Sequence, residues 1–114
     1  MTSNWAIFEQ GVTLGQKGSE HGIILRDEEY EGAARITLEQ ASPIAPFTVT
    51  CGIYGWTFHT RLFSTLADAE AAYSQMQEAI SAIVALIPYK DDPELDLKQQ
   101  QAIRAISQFL ERFP

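Results

Sequence analysis

Near Ser64 the period of the apolar residues changes once, from two to about three and a half. A period of two belongs to a strand with one dry face, and the longer period to a helix laid against a core. A chain that changes once, instead of alternating, predicts an α+β fold in which the strands come first and the helices after.

Ahead of the change, Phe47, Val49, Cys51 and Ile53 alternate with Thr48, Thr50, Gly52 and Tyr54. After Gly55, Trp56, Phe58, Thr60 and Leu62 alternate with Thr57, His59 and Arg61. A two-residue turn at Tyr54 and Gly55 pairs Ile53 with Trp56, Cys51 with Phe58, Val49 with Thr60 and Phe47 with Leu62, so that every large apolar residue faces one side. That turn asks Tyr54 to accept a positive φ, and a longer turn is the alternative. Upstream, Ala34, Ile36 and Leu38 alternate with Arg35, Thr37 and Glu39. With 23–26, this strand flanks the acidic stretch 27–32, which reads as the loop of a hairpin. Residues 5–8 and 12–14 are short strand candidates on either side of Gly11, and 15–22 is a polar loop with three glycines.

Beyond the change, Thr65 and Asp68 have the spacing of a capping box, and Leu66, Ala69, Tyr73, Met76, Ile80, Ile83 and Ile87 form an apolar stripe up to Pro88. This helix carries seven alanines and only three charged side chains, Asp68, Glu70 and Glu78. So little charge predicts that the sheet covers one face and something else another. A second helix is expected from about Asp91 and Asp92, with Pro93 at its first position and Ile103, Ile106, Leu110 and Phe113 as its stripe. The expected architecture is therefore one domain over 1–114: a two-layer α+β sandwich, an antiparallel sheet of four to five strands followed by two helices packed on one face.

Composition narrows the function classes. Cys51 is the only cysteine, so an intramolecular disulfide and a four-cysteine zinc site are both excluded. On the inward face of its strand the thiol should have a raised pKa, the reverse of what a nucleophile needs. The amino terminus lacks a charged start followed by an apolar run, and no apolar stretch reaches the length of a membrane span, so a cytoplasmic protein is expected. Fifteen acidic against eight basic residues give a formal charge of -7, which disfavours nucleic acid and acidic membranes and suits a basic protein partner.

Glycine-rich phosphate loops, dinucleotide fingerprints, serine elbows and histidine pairs at helical spacing are all missing from the sequence. No catalytic residue, metal site or cofactor is expected. The acidic stretch of Asp27, Glu28, Glu29 and Glu31 lacks the ligand spacing of a calcium loop and reads as solvated, and His21 and His59 read as surface residues.

One surface remains. Pairing 33–39 with 47–54 aligns Arg35 with Gly52 and Thr57, Thr37 with Thr50 and His59, and Glu39 with Thr48 and Arg61. A row of threonines edged by Arg35, His59 and Arg61 results, with Glu39 and Arg61 as a weak surface pair. Two function classes follow. The first is a small acidic, non-enzymatic interaction module, of which an inhibitor or immunity-type protein is one member, dimeric through the helix 66–87. The second is a ligand-binding or enzymatic domain that takes a small anion on the polar sheet face, with Arg35, His59 and Arg61 as donors, Asp27 or Glu28 as a carboxylate partner, and Tyr54 at the hairpin tip as a recognition aromatic.

Overall fold

The strands come first: β1 (Trp5–Ile7), β2 (Ile23–Tyr30), β3 (Ala34–Ser42), β4 (Ala45–Ile53) and β5 (Thr57–Phe63) precede α1 (Leu66–Val84) and α2 (Leu95–Arg112). The structure, a computed structural model, describes residues 4–114. All five strands are antiparallel to their neighbours, and their order in the sheet is their order in the chain. This is the expected α+β arrangement, with the helices packed on the sheet.

The inner sheet face is dry because the period of two places Ala34, Ile36 and Leu38 of β3 beside Val49, Cys51 and Ile53 of β4, all of them buried. Ala69, Tyr73, Met76, Ile80 and Ile83 of α1 close over them, and Ile106, Phe109 and Phe113 extend the core at the α2 end. Thr65 caps α1 as expected, its hydroxyl accepting the Asp68 N–H at 3.2 Å. The helix ends at Val84, before Pro88 is reached. The second helix starts later than Pro93, because Asp92 shapes its entry. Asp92 Oδ1 accepts the Glu94 N–H at 2.8 Å while Oδ2 pairs with Lys98 at 2.7 Å. The Lys98 bond, followed by the Glu94 N–H, holds the Asp92 carboxyl below its usual range.

Within the single chain α1 keeps a second face open, with Ala67, Ala71 and Ala82 exposed along with Ser74, Gln75 and Glu78. Three expectations need correction. The stretch 12–14 is a turn rather than a strand, and it follows a tight passage, 8–11, in which Glu9, Gln10 and Gly11 take φ of 44°, 60° and 87°.

Nor is the acidic stretch a loop. β2 runs through Asp27, Glu28 and Glu29 to Tyr30, and the chain reverses over 31–33, with Gly32 at φ 68°. Each of these acids has a partner on another element or turn: Asp27 has Arg35, Glu28 has Tyr73, and Glu29 has Tyr54. Distant partners thus override the low strand propensity of acidic residues.

The largest correction concerns β5. The register between β3 and β4 is the expected one, with Arg35 opposite Gly52, Thr37 opposite Thr50 and Glu39 opposite Thr48. The next ladder is shifted by one residue: Ile53 pairs with Thr57, Cys51 with His59, Val49 with Arg61 and Phe47 with Phe63. Trp56 N–H closes the turn on the Ile53 carbonyl at 2.8 Å, and of its central residues only Gly55 has a positive φ, 82°. A two-residue turn needs positive φ at Tyr54 too, which a tyrosine resists, so the loop takes one more residue. Every side chain of β5 changes face as a result. Phe58 and Leu62 turn to the outer face, 76% and 54% exposed, and His59 and Arg61 turn inward.

Candidate functional site

The outer sheet face would be open to water if the chain ran directly from β1 to β2. Instead residues 8–22 fold back across it. Polar contacts hold them there, since the segment carries few apolar residues to bury. Thr13 Oγ1 donates to Asp27 Oδ2 at 2.7 Å, and the Phe8 ring lies 3.7 Å from the Arg35 guanidinium carbon. Gly22 and Glu20 donate their N–H groups to the two oxygens of Glu39 at 2.9 and 3.2 Å. Glu20 in turn accepts from the hydroxyl of Thr60 at 2.8 Å, and its carbonyl from that of Ser42 at 2.7 Å. Two glycines allow the close approach. A Cβ on Gly18 would stand 2.4 Å from the Glu39 carboxyl carbon, and one on Gly22 would stand 2.6 Å from the Gln40 carbonyl.

Between residues 12–19 and the tip of the β4–β5 hairpin this covering leaves a cavity of about 590 Å³. Arg35, Thr37, Glu39 and Thr50 line its floor, Val12, Ile24, Tyr54 and Phe58 its walls, and Lys17 borders it. The Phe58 wall exists because Gly52 lies opposite: a Cβ there would stand 2.7 Å from the ring, so glycine lets the ring lie over the neighbouring strand.

The charges in this region are largely answered from within the protein. Arg35 grips Asp27 through two bonds, Nε to Oδ1 at 2.9 Å and Nη2 to Oδ2 at 2.6 Å. The Asp27 side chain is fully buried, while that of Arg35 keeps 35% of its surface. Hydrogen bonding to Asp27 raises the guanidinium pKa further above its ordinary value, outweighing desolvation. Burial, reinforced by donation to Glu29 at 2.6 Å, pushes the Tyr54 phenol up to about 12. Glu39 is buried and bonded to two backbone donors. Lys17 forms no ion pair among the described residues.

Of the six residues singled out from the sequence, Arg35 and Tyr54 line the cavity, and Asp27 lies behind Arg35 as its counter-ion. The other three lie on the opposite side of the sheet. Glu28 bonds to Arg26 at 3.0 Å and accepts the Tyr73 hydroxyl at 2.8 Å, while Arg26 stacks on the Tyr73 ring at 4.1 Å. His59 Nε2 is bonded to the carbonyl of Phe113 at 2.5 Å. Arg61 donates to the carbonyl of Pro114 at 3.3 Å and sits near the rings of Phe63 and Phe113. The row of donors formed by Arg35, His59 and Arg61 is thus split between two faces, and the Glu39 and Arg61 pair does not form. Cys51 is buried on the inner face and burial pushes its thiol up to about 12.

Sequence reasoning overlooked Thr13, Lys17 and Phe58 as parts of this surface. The available signal was the cluster of glycines at 15, 18 and 22, spacing that suits a backbone lying flat on another backbone. Among the described residues no group of three or more histidine, cysteine, aspartate or glutamate side chains is placed to hold a metal ion, and no helix is long and apolar enough to cross a membrane. No protein-family model, curated protein or solved structure matches this chain.

Proposed function

We propose that this protein binds a small, flat, mostly apolar and uncharged molecule with a hydrogen-bonding edge in the cavity on the outer sheet face. The observation that carries this is the cavity itself, about 590 Å³, with Val12, Ile24 and Phe58 as apolar walls and the hydroxyls of Thr37 and Thr50 in its floor. Small-molecule sites combine concavity, apolar lining and a few convergent polar groups at this size. Charge decides the ligand class. Arg35 is already neutralised by Asp27, and the Glu39 carboxylate is tied to backbone donors, so an anion would face a buried carboxylate and gain only Lys17. The reading is one of binding, not turnover: the one thiol lies on the other face, and Tyr54 keeps its proton at neutral pH.

Naphthol and naphthoate, alike in shape and different in charge, test this. Naphthol should raise the melting temperature and move the amide signals of Thr37, Thr50 and Phe58, naphthoate should do so less, and Gly52→Ala, which forces the Phe58 ring aside, should weaken the response. If neither compound perturbs these signals, or if naphthoate binds more tightly, the reading fails.

A second reading, association with a protein partner, is favoured by a different observation: β5 is an edge strand with Phe58 and Leu62 exposed. Under either reading the single free thiol suits a reducing, cytoplasmic setting.

A further inference from the structure

Two hydroxyls and a carboxylate form a chain of hydrogen bonds on the outer sheet face, and chemistry fixes its direction. Thr60 Oγ1 lies 2.8 Å from Glu20 Oε1. A carboxylate only accepts, so the single hydroxyl proton of Thr60 is committed to Glu20. Thr50 Oγ1 lies 3.0 Å from Thr60 Oγ1, and with the Thr60 proton spent, Thr50 must donate this bond. The Thr50 proton is thereby turned toward Thr60, and what Thr50 offers the cavity it lines is lone pairs. Its neighbours in the floor are set the same way. The Thr37 hydroxyl donates to the Thr50 carbonyl at 3.4 Å, and the Glu39 oxygens accept two backbone N–H groups. Arg35 gives Nε and Nη2 to Asp27.

We infer that this chain of bonds selects the ligand: the polar edge of the molecule in the cavity is a hydrogen-bond donor, an aromatic N–H or O–H delivered to Thr50 Oγ1. Thr60 and Glu20, neither of which lines the cavity, are the positioning residues that set the preference. The inference rests on the cavity reading above and narrows it, since a hydrogen-bonding edge alone admits ketones and ethers as readily as phenols and ring N–H groups. A free threonine hydroxyl rotates to donate or accept as its guest requires. The Thr50 hydroxyl cannot turn to a carbonyl or ether oxygen without giving up its place in a chain that ends on a carboxylate. The fold secures the arrangement from two sides. Thr50 and Thr60 are direct partners in the β4–β5 ladder, and Glu20 is fixed by its N–H on Glu39 and by the Ser42 hydroxyl on its carbonyl. Because Glu20 belongs to the covering segment 8–22, the segment that encloses the cavity also sets which hydrogen-bonding groups it accepts.

Indole and benzofuran, alike in shape but carrying a ring N–H and a ring oxygen respectively, test this on the full chain. In titrations followed by the amide signals of Thr37, Thr50 and Phe58, indole should bind about fivefold more tightly, the scale of one neutral hydrogen bond. Thr60→Val releases the Thr50 hydroxyl to rotate, so it should strengthen benzofuran binding and bring the two compounds close to parity. Thr60→Ser keeps a hydroxyl and should keep the preference. Thr50→Val should reach parity from the other direction, by weakening indole, and amide spectra unchanged away from the cavity check that each variant is folded. Equal affinities in the wild type overturn the inference and leave the cavity reading standing. So does tighter binding of benzofuran, which the remaining N–H groups of Arg35 would produce, or a preference for indole that survives Thr60→Val. No response to either compound overturns it as well, and if naphthol is also silent the cavity reading falls with it.

Discussion

The two faces of the sheet are closed in different ways. On the inner face, aliphatic side chains at every second position meet the periodic stripe of α1, and the seal is a sum of many small contacts without preferred direction. On the outer face, residues 8–22 are attached at a few directed points: Thr13 on Asp27, Phe8 on Arg35, Gly22 and Glu20 on Glu39, and Thr60 on Glu20. Close packing leaves no room for a guest, whereas a cover pinned at separate points leaves space between the pins. The cavity lies on the pinned side for that reason.

If the contrast holds, Leu38→Ala should cost the most, about 3 kcal/mol in denaturant-induced unfolding, since a fully buried leucine has no replacement for its lost volume. A loss well below this would mean that the inner face yields as the outer one does. Arg35→Gln comes next, at about 2 kcal/mol: it strands the buried Asp27 carboxylate, and the partial exposure of the guanidinium keeps the loss below that of a fully buried pair. Adding Asp27→Asn should restore much of that stability, because two neutral amides can still bond across the gap; no second substitution should rescue Leu38→Ala so simply. A double-mutant cycle with no coupling between Arg35 and Asp27 would break the contrast.

The smallest effect is in the alkaline range, and it distinguishes the faces by where it begins. Burial raises Cys51 from 9.0 to about 12 and Tyr54 from 10.0 to about 12, and Tyr73 is raised by burial and by its bond to Glu28. Each group binds its proton more tightly when folded. The associated stability is intact below the unfolded pKa and is lost as pH rises toward the folded one. Of these three only the inner-face thiol acts between pH 9.0 and 10.0, so Cys51→Ala should flatten the start of the decline in unfolding midpoint, and Tyr54→Phe only the part above 10.0. A Cys51→Ala profile that overlays the wild type would show that the thiol's surroundings are wetter than the fold implies.

The inner face was largely legible in the sequence, for a local reason. Ala34, Ile36 and Leu38 and then Val49, Cys51 and Ile53 declare their side by alternation alone, and Thr65 marks the helix start within a few residues of the last strand. The phase of β5 was not legible, because Phe58 and Leu62 look like core residues and only the positive φ that one turn residue, Tyr54, does not adopt decides otherwise. The cavity was less legible still. Its walls come from the irregular stretch 12–19, and its anchors join residues such as Thr13 and Asp27, or Glu20 and Thr60, that share no pattern in sequence. Asp27 and Glu28 read as solvent-loving for the same reason: their partners lie on other elements.

The neighbour-to-neighbour order of the strands also bears on how this molecule assembles. Each ladder joins segments that follow one another along the chain, so little loop-closure entropy is spent before the sheet can grow hairpin by hairpin. The bond from Trp5 to Ser81, spanning 76 positions, must wait until α1 docks, which makes the indole of Trp5 a natural fluorescent reporter of that docking.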